Sequence, residues 1–180
     1  DGLELRVHPA LLPADHLLAQ VHGRMNAVMV QSDAAGTTLY YGAGAGAEPT
    51  ASAVVADLVD LARSQGVSSA QRVPALAFQP GTLAALPVLD PAMTASAFYL
   101  RLDVERAEVT VPRVLQELAR HGVPVQRMKV LQHPDHPGQD CLVLLTATTT
   151  LLDVGAALET LHAWPTVLGQ ASVLRLEALE

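Results

Sequence analysis

The feature that most constrains the fold of this chain is the repeated change of hydrophobic period between Ala97 and the C-terminus. FYLRLDV sets Phe98, Leu100, Leu102 and Val104 at alternate positions, the period of a strand with one face inward. VPRVLQELARHG then places Val111, Val114, Leu115 and Leu118 on one side of a helix, which Gly122 ends. VPVQRMKVL and CLVLLTA read as two more strands, separated by the polar loop QHPDHPGQD. TLLDVGAALETLHAW brings Leu151, Val154, Leu158 and Leu161 into helical phase, and SVLRLE closes the series as a strand.

The order βαββαβ is that of the ferredoxin-like split unit, in which two helices cover one face of an antiparallel sheet. The fold class is therefore α/β in the α+β sense. Half the residues are hydrophobic but only 3% are aromatic, so the core is built from Leu, Val and Ala rather than from rings.

Upstream the pattern is different. LELRVH, residues 3 to 8, alternates before Pro9 and predicts a short strand. Asp15 predicts a cap for one or two helical turns that stop at Gly23. NAVMVQS and TTLYYG flank DAAG and read as a hairpin. From Pro49 to about Ser64, Val54, Leu58 and Leu61 share one helical face with Val55, Val59 and Ala62 beside it, a face broad enough to predict a largely buried helix. Between Gly66 and Ser96, prolines at 74, 80, 87 and 91 with few charges read as a linker that Leu76, Phe78 and Leu86 drape over its neighbours. Three segments follow: 1–65, a linker 66–96, and the βαββαβ domain 97–180.

Two stretches carry possible chemistry. His133, Asp135, His136, Asp140 and Cys141 gather in one loop, and H-x-x-H with carboxylates is a conceivable divalent-metal set; Pro134, Pro137 and Gly138 favour a plain turn instead, and no metal is expected. The run GAGAG, with Gly42, Gly44 and Gly46 at alternate positions before an apolar helix, leaves two readings open. It is an anion or cofactor cradle at a helix start, or a tight turn that lets the helix pack close to a sheet. G-x-G-x-G is not the dinucleotide fingerprint G-x-G-x-x-G. No G-x-S-x-G elbow is present, and Cys141 opens an apolar strand where a small thiol fits as core.

Several classes are excluded by composition. Formal charge is −7 and Lys129 is the sole lysine, so no basic stripe exists to meet a phosphate backbone, and nucleic acid is not an expected partner. A single cysteine forms no internal disulfide and fits a reducing cytoplasm. No apolar run reaches the ~18 to 20 residues that span a bilayer, and DGLELRVHPA lacks the regions of a signal peptide. A start at Asp1 rather than Met suggests a piece of a longer protein.

The residues from LELRVHPALLPADHLLAQVHGRMNAVMVQSDAAG to GAGAGAEPTASAVVADLVDLAR resemble the C-terminal end of the catalytic region of homoserine dehydrogenases, where VHP, a NAV segment, GxGAGxxPTASAV and a helix of Asp followed by apolar residues occur in this order. The likeness spans about residues 3 to 64. YLRL, HGV and VLRLE, within 97–180, resemble the ACT regulatory domain that many bacterial members carry at that end.

The resemblance implies an enzyme that interconverts L-homoserine and L-aspartate 4-semialdehyde with NADP or NAD, on the branch to threonine and methionine. Its dinucleotide fingerprint and catalytic lysine lie upstream in the family, so this chain carries no catalytic residue and is expected to be inactive alone. Gly46 falls where the family approaches the nicotinamide cofactor, with Gly44 as the second such position. ACT domains that bind amino acids carry a D-x-P-G-like turn, which here falls on Arg106, Ala107, Glu108 and Val109 and keeps none of those residues. Feedback by threonine is thus expected to be weakened or lost, with the domain serving association in a homo-oligomer such as a dimer. The competing reading is a non-enzymatic ACT-type regulatory or dimerisation module.

Overall fold

The computed structural model describes residues 2–68, 84–132 and 136–177. In chain order these form β1 (Ala10–Leu11), a 3-10 turn at Leu17–Gln20, β2 (Met25–Ser32), β3 (Gly36–Ala43), α1 (Ala47–Arg63), β4 (Ala95–Glu105), α2 (Ala107–Arg120), β5 (Val125–Gln132), β6 (Gln139–Thr146), β7 (Thr149–Thr150), α3 (Leu151–His162) and β8 (Val167–Leu176). Two units separate by their internal contacts, one made of Asp1–Leu12 with Leu86–Glu180 and the other of Pro13–Ala85.

In the first unit the changes of period from Ala97 onward are realised as strand and helix. The sheet order is β1-β8-β4-β6-β5, with the short β7 joined to β4. β4 lies antiparallel between β6 and β8, with Leu100 opposite Leu144 on one side and Val173 on the other. Setting aside β1 and β7, this is the ferredoxin-like order. Phe98, Leu100 and Val104 are fully buried, as are Val114, Leu118, Val154 and Leu161 from the helices. Each such side chain contributes roughly 1.5–3 kcal/mol when withdrawn from water. Leu151 departs from expectation: at the first position of α3 it is 37% exposed, ahead of the turns that reach the sheet.

Buried threonines tie the junctions of these elements. Thr146 Oγ1 accepts the N–H of Phe98 at 2.9 Å, Thr149 Oγ1 donates to Gly122 O at 2.9 Å, and Thr110 Oγ1 donates to Glu105 O at 2.6 Å. The bond to Phe98 satisfies a buried backbone amide, while the other two are part-buried. The cost of burying Arg175 is offset less completely. Its Nη2 donates to Pro91 O, and its guanidinium lies 5.2 Å from the Phe98 ring centroid, while Nη1 finds no partner among the described residues.

The N-terminal strand lies elsewhere than the alternation of LELRVH predicts. Residues 3 to 8 form no strand, and Val7 is fully exposed; pairing is confined to a bridge from Leu3 to Val88 and to β1, which runs parallel to β8 with Ala10 opposite Arg175. Pro9 ends the alternating stretch one residue before the pairing starts. Likewise the 3-10 turn is capped by His16, whose Nδ1 accepts the N–H of Leu18 at 3.1 Å, and not by Asp15.

In the second unit the hairpin forms about the predicted DAAG turn, paired from Met25–Ala43 to Ser32–Gly36. Asp33 Oδ1 accepts the N–H of Ala34 at 2.7 Å, and Gly36 takes φ 69°. α1 has the predicted apolar periodicity, but none of its 17 residues is buried. Val54, Val55, Leu58 and Leu61 are each more than half exposed. The expectation of a largely buried helix is therefore corrected: among the described residues of this unit, none covers that face. Of the proposed linker, residues 69–83, including Leu76 and Phe78, lie outside the described residues; Leu86, which is described, is 53% exposed.

Candidate functional site: the glycine loop before α1

Beyond Ala43 the chain leaves β3 but stays tied to the start of β2. The N–H groups of Gly44 and Ala45 both point to Arg24 O, at 3.3 and 3.5 Å. A Cβ added at Gly44 would lie 1.6 Å from Asn26 Nδ2 and 2.8 Å from its Cγ, so the Asn26 carboxamide already fills the volume of a side chain there. Gly46 follows with φ 125° and ψ 157°, a conformation essentially restricted to glycine. It is the N-cap of α1 and accepts the N–H of Thr50 at 3.2 Å.

Two of the three glycines have distinct reasons to be glycine. Gly46 has the backbone that reverses the chain into the helix, Gly44 leaves room for Asn26, and Gly42 opposite Asn26 meets nothing within 4 Å. No side chain caps α1. The positive end of the helix dipole is instead matched by Glu48 in the first turn. That carboxylate disfavours a phosphate at the same place; a neutral amide or a cationic ring is the better electrostatic match. Asn26 escaped the sequence reading, though counting register outward from the DAAG turn sets it across from Gly42.

The other sequence candidates are not brought into this loop. His133 and Asp135 lie outside the described residues; among the described residues no three His, Cys, Asp or Glu groups gather closely enough for a metal ion. Cys141 is buried in β6 opposite Asp103. Beside it the exposed Arg101 is held above its ordinary pKa, first by Cys141 and then by Asp103, whose carboxylate is 3.7 Å away.

The stretch Arg106–Val109 is not an open turn. Arg106 alone links β4 to α2, in the left-handed region at φ 50° and ψ 62°, and the other three residues lie in the first turn of the helix. Its carbonyl accepts the N–H groups of Val109 and Thr110 at 2.9 and 3.0 Å. Two shallow apolar grooves run along α2: one of about 280 Å³ at Ala107, Val111 and Val130, and one of about 400 Å³ at Leu115, Ala119 and Met128.

A glycine loop feeding an unburied apolar helix, in a chain that also holds a βαββαβ unit, defines a mixed α/β protein of two units. Known proteins give this class a particular form. The family model for homoserine dehydrogenase matches residues 2–59. The homoserine dehydrogenase of Pseudomonas aeruginosa is 42% identical over 178 residues, 99% of this chain and 41% of that protein; that of Neisseria gonorrhoeae is 41% identical over the same span. The crystal structure of a homoserine dehydrogenase from Thiobacillus denitrificans superposes with a TM-score of 0.83 at 45% identity, covering 98% of this chain and 39% of that one. The chain is a relative of the homoserine dehydrogenases, corresponds to their C-terminal part, and spans about two-fifths of the length of the curated proteins it matches.

Proposed function

We propose that this chain works as the C-terminal part of an NAD(P)-dependent homoserine dehydrogenase, which interconverts L-homoserine and L-aspartate 4-semialdehyde in the biosynthesis of threonine and methionine. The observation that carries the reading is the 45% identity to the Thiobacillus denitrificans enzyme over 98% of this chain. A purely regulatory module would not need the segment 2–59 that matches the dehydrogenase family model.

In this reading the glycine loop serves the nicotinamide end of the cofactor, whose ring accepts or returns the hydride when bound. Gly46 has no Cβ to hold the ligand off, and Glu48 suits a cationic ring better than a pyrophosphate. The exposed face of α1, with Val54, Val55 and Leu58, docks on the nucleotide-binding part that the relatives carry in the rest of their length. The dinucleotide fingerprint and the lysine that assists proton transfer belong to that part. The segments 1–65, 66–96 and 97–180 then act as the end of the catalytic region, a linker and an ACT-like domain, in a cytoplasmic homo-oligomer.

Threonine feedback is weakened or lost in this reading. The effector turn of such domains needs free amides on an open loop, whereas Arg106 carries the chain directly from β4 into α2. The test of the activity is direct: this chain by itself forms no NADPH from homoserine, and its complete gene product does. Homoserine-dependent NADPH formation by the 180 residues alone overturns the division of labour. Calorimetry that detects micromolar threonine binding overturns the loss of feedback.

A further inference from the structure

We infer that Asn26 is a positioning residue for the cofactor-facing loop, acting as a wedge under Gly44 that sets how far Gly46 projects. The inference rests on the reading of the loop just given and concerns a residue with no assigned role. Three observations converge on it. Asn26 Nδ2 lies where a Gly44 side chain would project, 1.6 Å from the ideal Cβ position. The loop has few other restraints: two N–H groups converge on the single acceptor Arg24 O at 3.3 and 3.5 Å, both long for such bonds. Asn26 is exposed, and its carboxamide makes no hydrogen bond to the described residues, so neither core packing nor a polar partner among them accounts for its placement.

The wedge acts through shape. With Asn26 trimmed, Gly44 loses the surface it rests on, and the φ 125° turn at Gly46 is free to sink toward β2. With a methyl at Gly44, the carboxamide must rotate out of the same volume, and the support is lost from the other side. Asn26→Ala and Gly44→Ala therefore remove one and the same contact. Because Asn26 is exposed, neither substitution puts the folding of the chain at stake.

The experiment is steady-state kinetics, with calorimetric dinucleotide binding, on the complete gene product carrying Asn26→Ala, Gly44→Ala, both together, Asn26→Leu and Gly46→Ala. Asn26→Ala and Gly44→Ala each raise KM and Kd for the dinucleotide roughly 3- to 10-fold, with kcat and the KM for homoserine within about 2-fold of wild type. The double variant is no worse than the worse single one, the mark of a shared contact. Asn26→Leu, which keeps the shape and discards the polar atoms, stays within about 2-fold of wild type. An unchanged dinucleotide KM in Asn26→Ala, an additive double variant, or an Asn26→Leu as impaired as Asn26→Ala overturns the wedge while Gly46→Ala still weakens dinucleotide binding. If Gly46→Ala also leaves that binding unchanged, the cofactor-facing reading of the loop fails, and the wedge fails with it.

Discussion

His162 Nε2 accepts the backbone N–H of Ala171 at 3.0 Å, joining the last turn of α3 to the irregular middle of β8. The pairing of β8 with β4 shifts register between Arg101 and Asp103, and Gly169 takes φ 63° there. The bulge leaves the Ala171 amide without a partner on β4, and the imidazole supplies one. As an acceptor, Nε2 carries no proton in this arrangement, which puts the ring proton on Nδ1. His162→Ala leaves the amide unpaired and is expected to cost about 1–2 kcal/mol. Urea unfolding followed by the fluorescence of Trp164, two residues away, measures it; a midpoint equal to wild type refutes the role.

Arg106 predicts a gain rather than a loss. It is the one non-glycine residue with positive φ among those described, and a left-handed arginine costs roughly 1 kcal/mol more than glycine. Arg106→Gly is expected to raise Tm, the relief of strain being partly offset by the greater freedom of glycine in the unfolded chain. Arg106→Val, whose branched side chain fits that region poorly, lowers it. A thermal melt of both variants gives opposite signs if the turn is as described.

Thr110 holds the other end of that turn. Thr110→Val preserves volume but deprives Glu105 O of its 2.6 Å hydrogen bond inside the protein, at an expected cost of about 1–3 kcal/mol. Val109→Ala one position earlier, on a side chain 59% exposed, is expected to change stability by less than about 0.5 kcal/mol. Equal effects at the two positions, in the same denaturation series, contradict the burial described for α2.

The apolar face of α1 makes a solubility prediction. Val55→Ser with Leu58→Ser removes two side chains that are 56% and 59% exposed, so the melting of the βαββαβ unit is expected to be unchanged while concentration-dependent light scattering of this chain falls. Scattering that persists at the wild-type level assigns self-association to another surface.

What could be read from the sequence follows from where each segment finds its partner. Phe98, Val114 and Leu161 bury against one another within a stretch whose period changes match its own packing, so periodicity alone located strands, helices and core. In α1 the same reasoning found the helix and its apolar face but not its exposure, because amphipathicity names a face and not what covers it. LELRVH alternates, yet the strand forms just after it, where Ala10 and Leu11 meet β8 about 165 residues on, and local pattern carries no register over that distance. The turn at Arg106 had no signal, since left-handed positions are ordinarily announced by Gly or Asn. In the glycine loop the spacing drew attention to Gly44 and Gly46, while the reason for Gly44 lay in Asn26 on the opposite strand.

Leu3 donates to Pro87 O and accepts from the N–H of Leu89, both at 2.8 Å, just before the chain departs at Pro13 and just after it returns at Ala85. The segments on either side of that excursion are thereby stitched to each other within the first unit. A length of chain that leaves and re-enters at one address behaves as a cassette: it can be trimmed, extended or exchanged without a gap opening in the host.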